Sequence, residues 1–267
     1  MKKILLIVLF ITGFCFGQTY ELAEEFYSNG FPKFITTYKV SKGKIEIVKK
    51  INWHSNGQKE AVMTYKGVDE YGNPKRDGKW TAWRDDGQKE EEGTYNDWGK
   101  EGIWTSFRDG EKKFCETTYK DGGKKLETYW YENGKKESEY TYKGWRKNGL
   151  ATHWHENGQM SSEATYKDGE IHGLETYWYE NGKKESEFTY KDGEQDGLWT
   201  EWYENGQKSS EATYKDGGQD GLCTSWYENG QKSSEATYKD WELIDSKCWD
   251  EDGNECECHE KWWKGCN

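Results

Sequence analysis

A repeat of about 24 residues runs through most of the chain. Two consecutive units, which begin at Asp196 and Asp220, are nearly identical. An aromatic anchor marks each unit, and successive anchors are 23 to 30 residues apart. The ten anchors are Phe26, Trp53, Trp83, Phe107, Trp130, Trp154, Trp178, Trp202, Trp226 and Trp249. A tyrosine lies 12 residues after each of the first nine anchors. Such self-similarity indicates a repeat architecture, in which each unit packs mainly against its neighbours.

Each unit has the pattern of a β-hairpin. Residues 198–202 alternate in character with a period of two, which predicts a strand. Asn205 and Gly206 follow, and this pair favours a two-residue type I′ turn. Residues 208–215 then form the predicted return strand. The turn signal recurs at residues 56–57, 133–134, 157–158, 181–182 and 229–230, with Asp86-Gly87 as an equivalent. We therefore expect an all-β fold of tandem hairpins forming an elongated, twisted, solenoid-like single antiparallel sheet.

The turn position predicts the pairing of the strands. A loop at residues 205–206 places Gly197 opposite Tyr214, where the tyrosine ring can shield the glycine backbone. The same relation holds in four further units, and it pairs residues 78 with 95, 149 with 166, 173 with 190 and 221 with 238. The unit anchored at Phe107 is one residue short before Gly110, so a different turn is expected there.

This register separates two faces. The Trp202 face carries Leu198, Thr200, Trp202 and their counterparts, and this uniform stripe is predicted to be the packing face. Its structural repeat anchors are Trp53, Trp83, Trp130, Trp154, Trp178, Trp202 and Trp226. The Trp199 face carries Gly197, Trp199, Glu201 and their counterparts, and it varies between units. Its predicted partner-binding residues are Tyr131, Tyr179, Tyr203, Tyr227, Trp80, Trp104 and Trp199. Variable positions on a constant frame are where a repeat protein can encode specificity.

Composition indicates that aromatic rings replace an aliphatic core. Leu, Ile, Val and Phe together make up about 13% of the chain, below the roughly 20% at which a conventional core becomes doubtful. The 16 Trp, 19 Tyr and 9 Phe nevertheless exclude wholesale disorder. A formal net charge of -12 argues against binding to nucleic acid or to an anionic lipid surface.

The two ends of the chain differ from the repeats. Residues 1–17 combine two lysines, an apolar run and a small-residue cleavage site, which predicts a signal peptide and an exported protein, periplasmic, cell-surface or secreted. Its removal takes two lysines and no acid, so the net charge becomes -14. No further segment is predicted to cross a membrane. We assign residues 18–50 to a degenerate N-terminal repeat, residues 51–243 to eight repeats, and residues 244–267 to a half-repeat and a Cys-rich cap.

Four cysteines fall in the cap, at positions 248, 256, 258 and 266. In an exported protein they favour two disulfides, for which three connectivities exist. Because Cys256 and Cys258 are too close to bridge each other easily, each is expected to pair outward. A zinc site using these cysteines or His259 is the alternative, although the Cys-x-x-Cys spacing is absent. Cys115 and Cys223 are too far apart in the repeat to bridge and are expected to be inert.

Residues that could support catalysis are few. The acidic loops after the return strands lack the dense oxygen ligands of a calcium loop, and His153 and His155 lack a third metal ligand. No phosphate-binding loop, nucleophile elbow or Cys–His couple is present in the sequence. We therefore predict a protein that is not an enzyme and has no catalytic residues, cofactor or metal.

The repeat resembles a known family. The unit Asp-Gly-Leu-Trp-Thr-Glu-Trp-Tyr-Glu-Asn-Gly-Gln-Lys, closing with Tyr-Lys-Asp-Gly, is similar to the variant MORN repeat of bacterial YwqK-type antitoxin components. The resemblance covers residues 50–243. It implies consecutive antiparallel hairpins and a role in protein interaction or scaffolding. The predicted signal peptide departs from an antitoxin that acts inside the cell.

Together these features predict an exported, non-catalytic scaffold that binds a protein through its Trp199 face. Trp and Tyr provide large, rigid contact areas. The acidic frame favours a basic partner, such as a secreted toxin, which would make the chain an immunity-type protein. The alternative is a glycan-binding or cell-envelope adhesion module, in which flat rings stack on sugars.

Overall fold

The computed structural model describes residues 18–258 and residue 266, so the predicted signal peptide and His259 lie outside the described residues. The described residues divide into two compact units, with the boundary between Gly134 and Lys135. The strands of the first unit are β1 Gln18–Phe26, β2 Pro32–Ser41, β3 Lys44–Trp53, β4 Lys59–Val68, β5 Pro74–Trp83, β6 Lys89–Asn96, β7 Gly99–Phe107, β8 Lys113–Lys120 and β9 Gly123–Trp130. A 3₁₀ helix, Asp109–Glu111, joins β7 to β8.

The described part of the second unit is also built from strands. They are β10 Lys136–Gly144, β11 Arg146–Trp154, β12 Met160–Lys167, β13 Glu170–Trp178, β14 Lys184–Lys191, β15 Glu194–Trp202, β16 Lys208–Lys215, β17 Gly218–Trp226, β18 Lys232–Lys239, β19 Glu242–Trp249 and β20 Glu255–Cys256. Within each unit consecutive strands pair antiparallel with each other. The predicted all-β class of tandem hairpins is confirmed. Over the described residues, no helix is long and apolar enough to cross a membrane.

The turns differ from the predicted type I′ geometry. Gly206 has a φ of +90°, whereas Asn205 is not among the residues with positive φ. The Gly206 amide donates to the Tyr203 carbonyl at 2.7 Å, and the Tyr203 amide donates to the Gln207 carbonyl at 2.8 Å. This is a three-residue loop, in which a type I turn ends in a left-handed glycine. The predicted two-residue type I′ loop is therefore wrong, because one positive φ closes this hairpin instead of two.

The predicted strand register is nevertheless confirmed. Gly197 pairs with Tyr214, and the four other predicted Gly–Tyr pairs form as well. The register is preserved because a bulge between Glu201 and Trp202 compensates for the extra residue of the turn. Gly197 has a φ of +125°, a backbone conformation that disfavours any residue with a side chain. This is a reason for glycine at this position that does not depend on shielding by the tyrosine. In the unit anchored at Phe107 a different turn forms, as expected: it is the 3₁₀ helix Asp109–Glu111, in which Gly110 and Glu111 both have positive φ.

The two faces are buried differently from the prediction. On the Trp202 face, Leu198 is 49% exposed although Thr200 is only 3% exposed. The buried apolar cluster of the second unit lies on the Trp199 face instead, and it consists of Ala212, Cys223, Ala236 and Cys248. The threonines of the Leu–Thr–Trp stripe are therefore buried, whereas its leucines are exposed and the apolar burial lies mainly on the Trp199 face. The reason is that the large ring of Trp199 stands directly opposite the small Ala212, so apolar burial concentrates on that face.

Charged pairs and rings cover the Trp202 face. Thr200 pairs across the strands with Glu187 and Glu211. Most glutamates at this position of the repeat form an ion pair with the lysine three residues earlier, as Glu235 does with Lys232 at 2.6 Å. The Lys232 ammonium in turn lies 5.5 Å from the ring centroid of Trp249. The anchors thus lie in a row in which aromatic and lysine side chains alternate. The rings and the lysine stems cover the strands, while the polar ends of the side chains stay partly exposed.

The Cys-rich cap contains two disulfides. Cys248 is bonded to Cys258, and Cys256 is bonded to Cys266, with Cα–Cα distances of 5.2 and 5.7 Å. Each member of the closely spaced pair bonds outward, as predicted. The bonds occupy the four sulfurs that the alternative zinc site would use. Burial raises the pKa of the Cys223 thiol to about 11, which suits an inert side chain.

Candidate functional site

A groove opens on the Trp199 face of the second unit, across strands β15 to β18. It has a volume of about 590 Å³ and is open to solvent. Its walls combine aromatic rings with small hydroxyl side chains. The lining residues are Trp199, Glu201, Tyr203, Ser209, Ser210, Tyr214, Gln219, Cys223, Ser225, Trp226, Tyr227, Ser233 and Tyr238. A concave, largely aromatic surface with a few convergent polar groups is typical of a binding site.

Strand alternation explains why these residues meet. Trp199 and Glu201 point to the same side of β15, and they pair with Ala212 and Ser210 on β16. Ala212 pairs in turn with Cys223 on β17. Because alanine and cysteine are small, the middle of the face is recessed, and larger side chains surround this recess. The groove is therefore a direct product of residue size along one cross-strand row.

Trp199 forms one wall of the groove. Its ring stacks on Phe188, with centroids 6.2 Å apart, and meets the edge of Tyr214 at 5.8 Å. These contacts fix the indole before any partner arrives. Its Nε1 is buried and has no hydrogen-bond acceptor among the described residues.

Glu201 is the one acidic residue in the lining, which includes no Lys, Arg or His. The Ser210 hydroxyl donates to its carboxylate at 3.0 Å. A carboxylate can accept further hydrogen bonds, so Glu201 keeps acceptor capacity. On the opposite side the Gln219 amide donates to the Tyr214 hydroxyl at 3.3 Å. Burial raises the pKa of Tyr214, so the phenol is neutral at physiological pH. The groove is therefore weakly acidic.

The structure brings three of the predicted partner-binding residues together. Trp199, Tyr203 and Tyr227 all line this groove. Tyr179 precedes it by one repeat, and Tyr131 belongs to the first unit, where its carbonyl accepts from the Gly134 amide at 3.0 Å. The seven predicted residues thus do not form one site.

The tyrosines after the anchors also connect repeats. Tyr203 donates its hydroxyl to the Trp226 carbonyl at 2.7 Å, and Tyr179 donates to the Trp202 carbonyl at the same distance. His155 occupies the equivalent position and contacts the Trp178 carbonyl through Nε2 at 2.8 Å. Tyr and His share this position because both can place a donor on the next anchor. These side chains therefore stabilise the frame even where their rings remain accessible.

The remaining predicted tryptophans lie in the first unit. Trp80 borders a second, more polar groove of about 890 Å³, together with His54, Arg84 and Glu90. Trp104 is only 2% exposed, so it contributes packing and little accessible surface. The two rings have centroids 5.2 Å apart.

Sequence reasoning missed the polar half of the groove. Glu201, Ser210 and Gln219 were not predicted as site residues, because glutamate and serine are common on solvated strands. The available signal was the replacement of a tryptophan by Cys223 at the position three before the anchor, where the loss of a large ring opens the face.

Comparisons with known proteins support the repeat type. The family profile described as "MORN repeat variant" matches six segments, residues 76–97, 125–143, 147–168, 171–192, 195–216 and 219–240. No curated protein matches the chain.

Three solved structures match the chain at low sequence identity. A GtfA/B complex bound to UDP and GlcNAc has 12% identity over 49% of this chain, with a TM-score of 0.18. A Tc holotoxin pore from Photorhabdus luminescens has 8% identity over 86%, with a TM-score of 0.22. A TcdB2-TccC3 structure has 10% identity over 86%, with a TM-score of 0.20. The matched parts span 22%, 14% and 17% of those chains. Scores this low carry no inference about function.

Proposed function

Because this chain is a protein of variant MORN repeats, we propose that it is an exported, non-catalytic scaffold that binds a protein partner through the Trp199 face of its second unit. The observation that carries the proposal is the open groove beside Trp199, whose rings are fixed by neighbouring repeats. Rigid aromatic side chains in a pre-formed groove lose little entropy when a partner binds. Export is supported by the pattern of residues 1–17, and a mature chain beginning at Gln18 would be visible by mass spectrometry.

A basic partner fits this proposal best. The chain has a formal net charge of -12, and the groove lining contains one carboxylate and no cationic side chain. Complementary charge accelerates association and selects against acidic competitors. A secreted basic toxin is one partner of this kind, and an immunity-type role would follow from its neutralisation.

A non-catalytic role is supported by the chemistry of the lining. Cys223 is buried, and burial raises the pKa of its thiol to about 11, so the reactive thiolate is scarce at neutral pH. The serines of the groove have no histidine among the lining residues to act as a base.

The test uses residues 18–267 as immobilised bait against the extracellular and periplasmic fractions of the source cell. We expect a basic protein to bind wild type and to lose binding to the Trp199→Ala variant, with the same result when both proteins are purified. Trp241→Ala is the matched control, because Trp241 is 64% exposed and does not line the groove. Equal capture by both variants would contradict the use of this face.

The second candidate is glycan binding. Aromatic rings beside Ser209, Ser210, Ser225 and Gln219 offer the stacking surfaces and the hydrogen-bonding groups that a neutral saccharide uses. A glycan array probed with wild type and Trp199→Ala would favour this candidate if saccharides bind only the wild type and no protein partner is captured.

A further inference from the structure

The repeats allow the groove to be compared with its own counterpart in the first unit. Residues at the same distance from their anchors occupy equivalent positions in the two units. Five positions matter here: Trp80, Tyr95, Lys100, Trp104 and Tyr119 of the first unit correspond to Trp199, Tyr214, Gln219, Cys223 and Tyr238 of the second. The strand pairing is also equivalent, since Tyr95 pairs with Lys100 as Tyr214 pairs with Gln219.

In the first unit this place is filled by a cation and a ring. The Lys100 ammonium lies 3.7 Å from the ring centroid of Trp104 and 5.5 Å from that of Tyr119. It also forms an ion pair with Glu91 at 3.2 Å. A cation over aromatic faces with a carboxylate beside it is an attractive arrangement, and it is stronger when partly desolvated.

Two other repeats place a cation in the same way. The Lys147 ammonium lies 3.7 Å from the ring centroid of Tyr140 and 5.2 Å from that of Tyr166. The Arg76 guanidinium lies 5.5 Å from the ring centroid of Tyr95. Arg76, Lys100 and Lys147 all stand seven residues before their anchors. The repeat frame therefore accommodates a cation against the tyrosine of this face.

The second unit replaces the cation and two of its three partners, and keeps only the tyrosine, as Tyr238. Gln219 stands where Lys100 stands, and Cys223 replaces the ring of Trp104, which opens the groove. Ser210 replaces Glu91, while a carboxylate returns directly across the strand as Glu201. Trp199, Tyr214 and Glu201 thus form an acidic aromatic site with no Lys, Arg or His in its lining.

We propose that this groove binds a lysine side chain of a basic protein segment. The ammonium would lie against Tyr238, as Lys100 lies against the equivalent Tyr119, and would pair with Glu201, which lines the same groove. This inference rests on the proposed protein-binding function and specifies the chemistry of its recognition.

The experiment measures fluorescence anisotropy of a labelled peptide of alternating glycine and lysine with residues 18–267. The same peptide with every lysine acetylated is the neutral probe. We expect the charged peptide to bind. The affinity of the acetylated peptide should be lower by at least about tenfold. Glu201→Gln should weaken binding of the charged peptide by a factor on the order of ten.

Two further variants distinguish binding in the groove from attraction to the net negative charge of the protein. Glu242→Gln removes one exposed carboxylate outside the groove lining and should leave the affinity within about twofold of wild type. Gln219→Lys restores the side chain of Lys100 and should block the site, while circular dichroism shows an unchanged fold. If Glu201→Gln does not fold, Gln219→Lys alone decides the matter.

Several results would overturn the inference. They are equal binding of charged and acetylated peptides, equal losses in Glu201→Gln and Glu242→Gln, and unchanged affinity in Gln219→Lys. A hexamer of N-acetylglucosamine that binds when the lysine peptide does not would assign the groove to saccharide. A partner that binds wild type and Gln219→Lys equally would overturn this inference alone, whereas the absence of any protein partner would defeat the proposed function.

Discussion

Tyr203 has two roles that depend on different parts of its side chain. Its ring lines the groove, while its hydroxyl donates to the Trp226 carbonyl of the next repeat. Burial raises the pKa of this phenol, so the donor stays protonated well above neutral pH. Asn205 adds a second connection, because its amide donates to the Glu228 carbonyl at 2.8 Å. Single side chains thus hold neighbouring repeats together while contributing to the binding surface.

Tyr203→Phe should lower the free energy of unfolding by about 1 kcal/mol, because a partly buried carbonyl loses its donor while the ring remains. Tyr203→His should recover most of this loss, since His155 makes the same contact in its own repeat. Urea unfolding followed by circular dichroism measures both. Tyr71→Phe is the control, because Tyr71 is 82% exposed and should not affect stability. A phenylalanine variant as stable as wild type would show that the hydroxyl is not a structural contact.

At the scale of elements, the C-terminal strands depend on covalent links. The bond from Cys248 to Cys258 joins β19 to the segment after β20, and the bond from Cys256 to Cys266 closes the tail. Cys248 is fully buried in the cluster with Ala236, whereas Cys256 is only packed against it. The first bond therefore combines a chain constraint with apolar packing, and the second supplies mainly the constraint.

Replacing Cys256 and Cys266 with serine should cost about 2–3 kcal/mol, the value expected for closing a loop of roughly ten residues. Replacing Cys248 and Cys258 with alanine should cost more, because a buried sulfur is also removed from the cluster. Hydrogen exchange of the amides in β18 and β19 would measure both losses. Equal losses in the two double variants would contradict a packing role for Cys248.

The elements show what a sequence of this kind can predict. Strands, Gly–Tyr register and outward-bonding cysteines follow from local spacing, so they could be predicted. The turn type could not, because Asn-Gly suits both a type I′ turn and a type I turn ending in glycine, and a bulge beyond the turn decides between them. The groove residues Trp199, Tyr203 and Tyr227 could be predicted from ring placement. Glu201 and Gln219 could not, because their role depends on the size of Cys223 two strands from Trp199.

At the scale of the whole molecule, the chain is built from hairpins that follow one another in sequence. Within residues 135–258, β13 and β15 present equivalent side chains to their neighbours, as the pairs from Gly173 to Tyr190 and from Gly197 to Tyr214 show. The stability of such arrays is approximately a sum over repeats and their interfaces. One complete repeat should therefore be removable without altering the register of the rest.

Deletion of residues 172–195 joins Ile171 to Asp196 and should leave a folded, less stable chain that retains the groove lining. Deletion of residues 184–195 removes β14, its connection and the first two residues of β15, and should disrupt folding because the following strands then run in the wrong direction. Circular dichroism and limited proteolysis would compare the two variants. A folded product from the shorter deletion, or an unfolded one from the longer, would contradict modular pairing.

Pairing between sequence neighbours has a consequence for how the molecule is made. Inside each unit a strand can pair with the strand just before it in sequence. Folding can therefore proceed from the N-terminal end before later parts of the chain are available. A chain that passes end-first through a narrow opening could thus acquire order progressively as it emerges. The bridged tail would then complete the molecule last, and its oxidation would fasten the final hairpin after all others were in place.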